Sequence, residues 1–170
     1  MNNDTVFLAL IMQETRRRLF GEGIPRLKQC LEQLNEEEIW YRPNAHSNSV
    51  GNLVLHLCGN VKQWIGTGLG KQPDTRARST EFAEEGPLSK DELMQRVDTL
   101  YKETEIVFDQ ISVADLLTEH QVQGFRESGI GILIHVVEHF SYHVGQMVYF
   151  VKARKGLDMG FYDGVDLEAK

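Results

Sequence analysis

Apolar residues recur at helical spacing in four stretches of the chain, and no alternating pattern of the strand type separates them. The pattern predicts an all-α protein. A first helical region covers residues 5–34, interrupted or bent where Gly21, Gly23 and Pro25 fall, because glycine weakens a helix and proline removes a backbone donor. After the turn at 35–43, a second helix starts behind Ser47 or Ser49, both good N-caps, and runs to Thr67, where Gly68 and Gly70 end it. Residues 71–88 are polar, carry Pro73 and Pro87 and show little periodicity; the segment is too long for a tight turn, so it crosses the bundle or covers a site. Ser89 and Glu92 have capping-box spacing and open a third helix reaching Ile111. A linker over 112–127 leads to Ser128 and a fourth helix ending at Arg154, followed by a loop-like tail with Phe161 and Tyr162 as packing anchors. Four helices with two long connections predict a four-helix bundle with long crossover connections, built as a single domain over 1–170.

Composition narrows the partners. A chain of 170 residues buries enough surface to fold without staples. Its 18 basic and 25 acidic residues give a net charge of -7, which disfavours nucleic acid and anionic membrane surfaces. The one basic run, Arg16 to Arg18, reads as a solvated helix face. Cys30 and Cys58 sit far apart in apolar helical contexts, so reduced thiols and a cytoplasmic location are expected. The apolar run Val6 to Met12 follows Asp4 instead of a basic region and reads as the start of a helix, not a signal core. No apolar run approaches the ~20 residues needed to span a bilayer, so a soluble protein is expected.

Chemistry concentrates in the fourth helix, where His135, His139 and His143 follow one another at four-residue steps among apolar neighbours. Each step turns about 40° around a helix, so His139 and His143 lie one turn apart on nearly one face, the spacing with which two imidazoles hold one metal ion. His135 lies about 80° from His143 and is expected to support the site by a hydrogen bond or by packing. His135-Val-Val-Glu138-His139 also has the H-x-x-E-H order of an inverted zincin, with Glu138 as base, but that reading leaves His143 unexplained. On the second helix, Asn52, His56, Asn60 and Gln63 form one polar line along an otherwise apolar surface. If that line faces His139 and His143, His56 completes a three-nitrogen site with open positions. Imidazole-only coordination suits zinc, nickel, copper or ferrous iron better than magnesium or calcium. Tyr142 and Gln146 flank the ligands as catalytic candidates. Arg76 and Arg78, within a segment that also holds Asp74 and Glu81, are candidates for gripping a substrate carboxylate, with Asn52 and Asn60 as further substrate-binding candidates.

The stretches Asn35 to Pro43, Ser49 to Leu57 and His139-Phe-Ser-Tyr-His143-Val-Gly-Gln146 resemble the DinB-like superfamily, and Gly51 to Asn60 with Asp74 to Phe82 resemble its DUF1572 branch. The resemblance covers nearly the whole chain. It implies a four-helix bundle, often a homodimer, holding a divalent metal on His56, His139 and His143, with zinc or nickel ahead of iron or copper. Some members of the superfamily are S-transferases using low-molecular-weight thiols such as bacillithiol or mycothiol, or related isomerases. The function expected is therefore a metal-dependent thiol S-transferase or hydrolase acting on a small electrophilic molecule. The competing expectation is a non-catalytic metal-binding or stress-response protein in which the ion is structural.

Overall fold

The computed structural model describes residues 3–86 and 88–169, so Pro87 of the crossover and the extreme ends of the expected domain lie outside it. The chain begins with α1 (Asn3–Arg16), passes through a π-helical segment (Arg17–Gly23) and continues as α2 (Ile24–Gln33). The expected interruption is a widened turn, not a break. The N–H of Ile24 bonds the carbonyl of Leu19, five residues back, and Pro25 falls in the first turn of α2, where its missing donor costs least.

Next come α3 (Glu36–Trp40), α4 (Val50–Val61), a second π segment (Lys62–Leu69), α5 (Arg78–Ala83) and α6 (Lys90–Phe108). The chain closes with α7 (Val113–Leu117), β1 (Glu119–Val122), β2 (Phe125–Ser128) and α8 (Gly129–Lys155). Starts are set by side chains that satisfy free N–H groups. Asn35, Ser49, Ser89 and Ser112 each form a capping box with the residue three positions on, and Ser128 caps α8 by accepting from the N–H of Gly131. At the other end of α8, Gly156 takes a left-handed conformation and its N–H returns to the carbonyl of Lys152.

The all-α expectation is corrected by a small antiparallel hairpin in the region read as a linker. Its strands are too short to show alternation. Its turn, Gln123 and Gly124, has positive φ at both positions (51° and 82°), the primed geometry that matches strand twist, yet glutamine is not among the residues that advertise it. The crossover over 71–88 likewise contains α5, one and a half turns too short to give a periodic signal.

The core lies where α4, its π continuation and α8 pack together and against α2 and α6. Leu57, Ile65, Leu93, Ile132, Leu133 and Met147 are fully buried there. Each such side chain contributes roughly 1.5–3 kcal/mol relative to exposure. The outer face of α8 is not covered: Ile134, Tyr142 and Tyr149 are exposed, so the helix is buried on fewer sides than its apolar sequence predicts. In the tail, Phe161 packs on the core, while Tyr162 stays exposed and takes a hydrogen bond from Arg26. No helix among the described residues is long and apolar enough to cross a membrane.

Candidate metal centre

Ser49 starts α4 in the register that turns Asn52, His56 and Asn60 inward, and Ser128 does the same for His139 and His143 on α8. The two helices bring three imidazoles together. Nitrogens of His56, His139 and His143 all lie within 4.8 Å of one another, and His56 Nε2 stands 3.1 Å from His139 Nε2. His56 is buried and the other two are half-buried.

Hydrogen bonds decide which nitrogens are free. Oε2 of Glu81 lies 2.9 Å from His56 Nδ1, so that nitrogen carries the proton and donates to the carboxylate, leaving Nε2 with its lone pair. On His143, Nδ1 donates to Oε1 of Gln146 at 2.7 Å, again leaving Nε2 free. His139 Nδ1 is buried without a hydrogen-bond partner. Two bare imidazole nitrogens face to face repel unless a proton or a cation lies between them.

The surroundings of His139 and His143 favour their neutral rings. Burial, helped by the neighbouring histidines and Arg76, pushes His139 down to about 3. Burial also lowers His143, against the opposing hydrogen bond of Gln146. Neutral imidazoles keep their lone pairs for coordination. Two nitrogens bound to one ion at 2.0–2.1 Å lie roughly 2.9–3.4 Å apart for angles between right and tetrahedral. The 3.1 Å between His56 and His139 falls within that range, and with His143 inside 4.8 Å of both, the three imidazoles are a donor set of the type that holds a divalent transition metal.

Behind His56 stands a buried ion pair. Arg76 donates from Nε to Oε1 of Glu81 (2.7 Å) and from Nη2 to Oε2 (2.9 Å), and its Nη1 reaches Oε1 of Gln63 (2.9 Å). Burial pushes the Glu81 carboxyl up, but the hydrogen bonds from Arg76 and His56 outweigh it and hold the group below the ordinary carboxylate range. The pair reaches His56 because residue 59 is glycine; a Cβ there would meet Oε1 of Glu81 at 2.0 Å. Asn52 fixes the strap that carries Glu81, donating to the carbonyls of Glu81 (2.9 Å) and Glu84 (2.7 Å).

The structure therefore sorts the sequence candidates. Arg76 and Asn52 are engaged internally, whereas Arg78 is exposed and lies over the Phe82 ring, which itself packs 4.8 Å from His56. Asn60 reaches His135 Nε2 at 3.4 Å, and Tyr142 is exposed beside His143. His135 stands outside the three-nitrogen cluster, stacked on Trp64 at 3.6 Å, and Glu138 is exposed, an arrangement unlike an inverted zincin. Trp64 is held in turn by Gln123 of the hairpin turn, whose Oε1 accepts from Nε1 at 2.8 Å. Neither Glu81 as the partner of His56 nor Trp64 as the partner of His135 has a spacing signal in the sequence, since each pair is made by the fold.

A cavity of 610 Å³ opens on the far side of Arg76 and Glu81, touching none of the three histidines. A second, of 540 Å³, lies between the start of α4 and the C-terminal half of α8.

The helical architecture is similar in fold to solved DinB-like proteins. A DinB-like protein from Bacillus subtilis shares 17% identity at a TM-score of 0.64, over 88% of this chain and 93% of that one. A DinB-like protein from Bacillus cereus shares 15% at 0.63, over 82% and 90%. A conserved protein from Enterococcus faecalis shares 18% at 0.69, over 85% and 97%. The family model described as a protein of unknown function, DUF1572, matches residues 12–160, and the chain belongs to that family. No curated protein matches it.

Proposed function

We propose that this protein holds a divalent transition metal, zinc or nickel before iron or copper, and acts as a metal-dependent thiol S-transferase or hydrolase on a small electrophilic molecule. The observation that carries the reading is the convergence of three imidazole nitrogens within 4.8 Å, on rings that stay partly open to solvent at His139 and His143. A metal held there supplies a Lewis acid that makes a thiol or a water nucleophilic at neutral pH. The chain's own residues do the rest. Glu81 and Gln146 fix the protons on Nδ1 of His56 and His143, so that both rings present Nε2. Phe82, packed on the His56 ring, shields the site from water on that side, and Tyr142 stands at its open edge with an exposed hydroxyl-bearing ring. Arg78, exposed beside Phe82, is the cation in reach of an incoming anionic group.

The reading includes a cytoplasmic homodimer with a small-molecule partner, a low-molecular-weight thiol, and neither nucleic acid nor membrane; the net charge of -7 supports the last part. A structural ion is the second reading, supported by ligands that come from two different helices, α4 and α8. Elemental analysis of protein purified without a metal-affinity tag is expected to find about one transition metal per chain. Assays of electrophiles with a panel of thiols then separate the two readings. Turnover that disappears on chelation supports the enzyme; a large fall in melting temperature on chelation, with no turnover by the intact protein, leaves the structural ion.

A further inference from the structure

The 540 Å³ groove between α4 and α8 begins where the metal centre ends. Its inner wall includes Leu53 and Gln146, which lie three residues from His56 and His143 respectively. Residues three apart on a helix are surface neighbours. Gln146 is itself hydrogen-bonded to His143, so one side chain touches both the ligand and the groove.

From there the groove runs along α8 past Phe150 to Arg154. Eight residues of helix span roughly 12 Å. Pro43, Val50, Leu53 and Phe150 supply the groove's apolar surface, His46, Ser47 and Asn48 add polar groups on the side of the α4 start, and no carboxylate lines it in a chain whose net charge is -7. At the far end Arg154 lies over the Tyr41 ring and 3.5 Å from Glu38. Lys155 pairs with the same carboxylate at 2.6 Å, so Arg154 can turn to an anion without stranding Glu38.

We infer that this groove binds a small molecule with an extended apolar body and a terminal carboxylate, the carboxylate meeting Arg154 and the opposite end reaching the histidine cluster beside Gln146. That this molecule is the substrate of the metal centre rests on the function proposed above; that the groove binds it does not. Apolar surface with a few placed polar groups and a cation is the usual composition of a small-molecule site. The length from Gln146 to Arg154 matches a chain of about ten carbons.

Decanoate is the probe, titrated calorimetrically into the full chain in metal-loaded and chelator-stripped forms. It is expected to bind both forms. Ala153→Trp, which fills the groove from an exposed position, and Arg154→Gln, which removes the cation, are each expected to weaken binding tenfold or more. Circular dichroism melts of both variants confirm that they are folded. A separate arm adds 2-mercaptoethanol to the cobalt-substituted protein and follows the thiolate absorption band, which reads the metal chemistry alone. Decanoate binding that persists without that band supports the groove while removing the thiol chemistry. Binding that vanishes with the metal, or that neither variant weakens, overturns the groove.

Discussion

Gly59 and Glu81 meet so closely that a single methyl group on the glycine would lie 2.0 Å from a carboxylate oxygen. The carboxylate passes α4 at that point to accept the hydrogen bond from His56 Nδ1. Gly59→Ala is therefore expected to push Glu81 off His56 and to weaken metal binding. Partners that orient a ligating histidine are worth roughly 10–100-fold in metal affinity. Competition titration with a chromophoric zinc chelator measures it, and Glu81→Gln should fall in the same range. Affinities within twofold of the parent protein for both variants would show that the carboxylate does not tune the site.

The ion pair behind His56 makes a separate prediction about stability. Side chains of Arg76 and Glu81 retain only 5% and 10% of their exposure. Removing one member of a buried pair strands the other, at a cost of about 3–5 kcal/mol. Arg76→Met is expected to lose that much in urea unfolding, and the double variant with Glu81→Gln to recover part of it. An Arg76→Met variant as stable as the parent would mean that water reaches the carboxylate.

Ligand identity can be ranked by metal content. His143→Ala removes one of the three converging nitrogens, whereas His135→Ala removes a ring stacked on Trp64. Elemental analysis should show a much larger loss of metal for the first. The opposite ranking would return the site to His135, His139 and Glu138.

Acid should act on the metal-free protein through His139. Its folded pKa is lowered from 6.5 to about 3, first by burial and then by the neighbouring histidines and Arg76, so between those values the unfolded chain binds the extra proton. Stability then rises with pH across that window and is lost progressively as pH falls below 6.5 towards 3. Thermal melts of chelated protein against pH should follow this slope, shallower in His139→Gln. An NMR titration placing His139 near its ordinary value would contradict the burial argument.

The sequence made the helices and the ligands legible for different reasons. Capping residues Ser49, Ser89 and Ser128 announce helix starts because they act on N–H groups within the next turn. His139 and His143 announce a pair because helical geometry converts four-residue spacing into proximity. His56 needed the polar line on α4 and the family resemblance, since nothing local states which helix faces which. Glu81 was visible as a charge but not as a partner, because its bond to His56 spans a strap whose path is set by Asn52 and Arg42 holding its carbonyls. The hairpin leaves no sequence signal, because four-residue strands carry too little alternation and Gln123 is not a residue that marks such a turn.

The second wide turn has a consequence for how the site can be altered. A π segment is the footprint of one extra residue in a helix, and taking one out restores the ordinary winding. Here the segment begins at Lys62, after His56 and just before Trp64. A residue absorbed in this way adds little net rotation, so taking one out of the segment would close the wide turn while His56 upstream and the helix downstream keep nearly their present faces. The segment is thus the place where this helix can change length by one residue without moving its metal ligand, and what such a change would alter is the seat of Trp64 against His135.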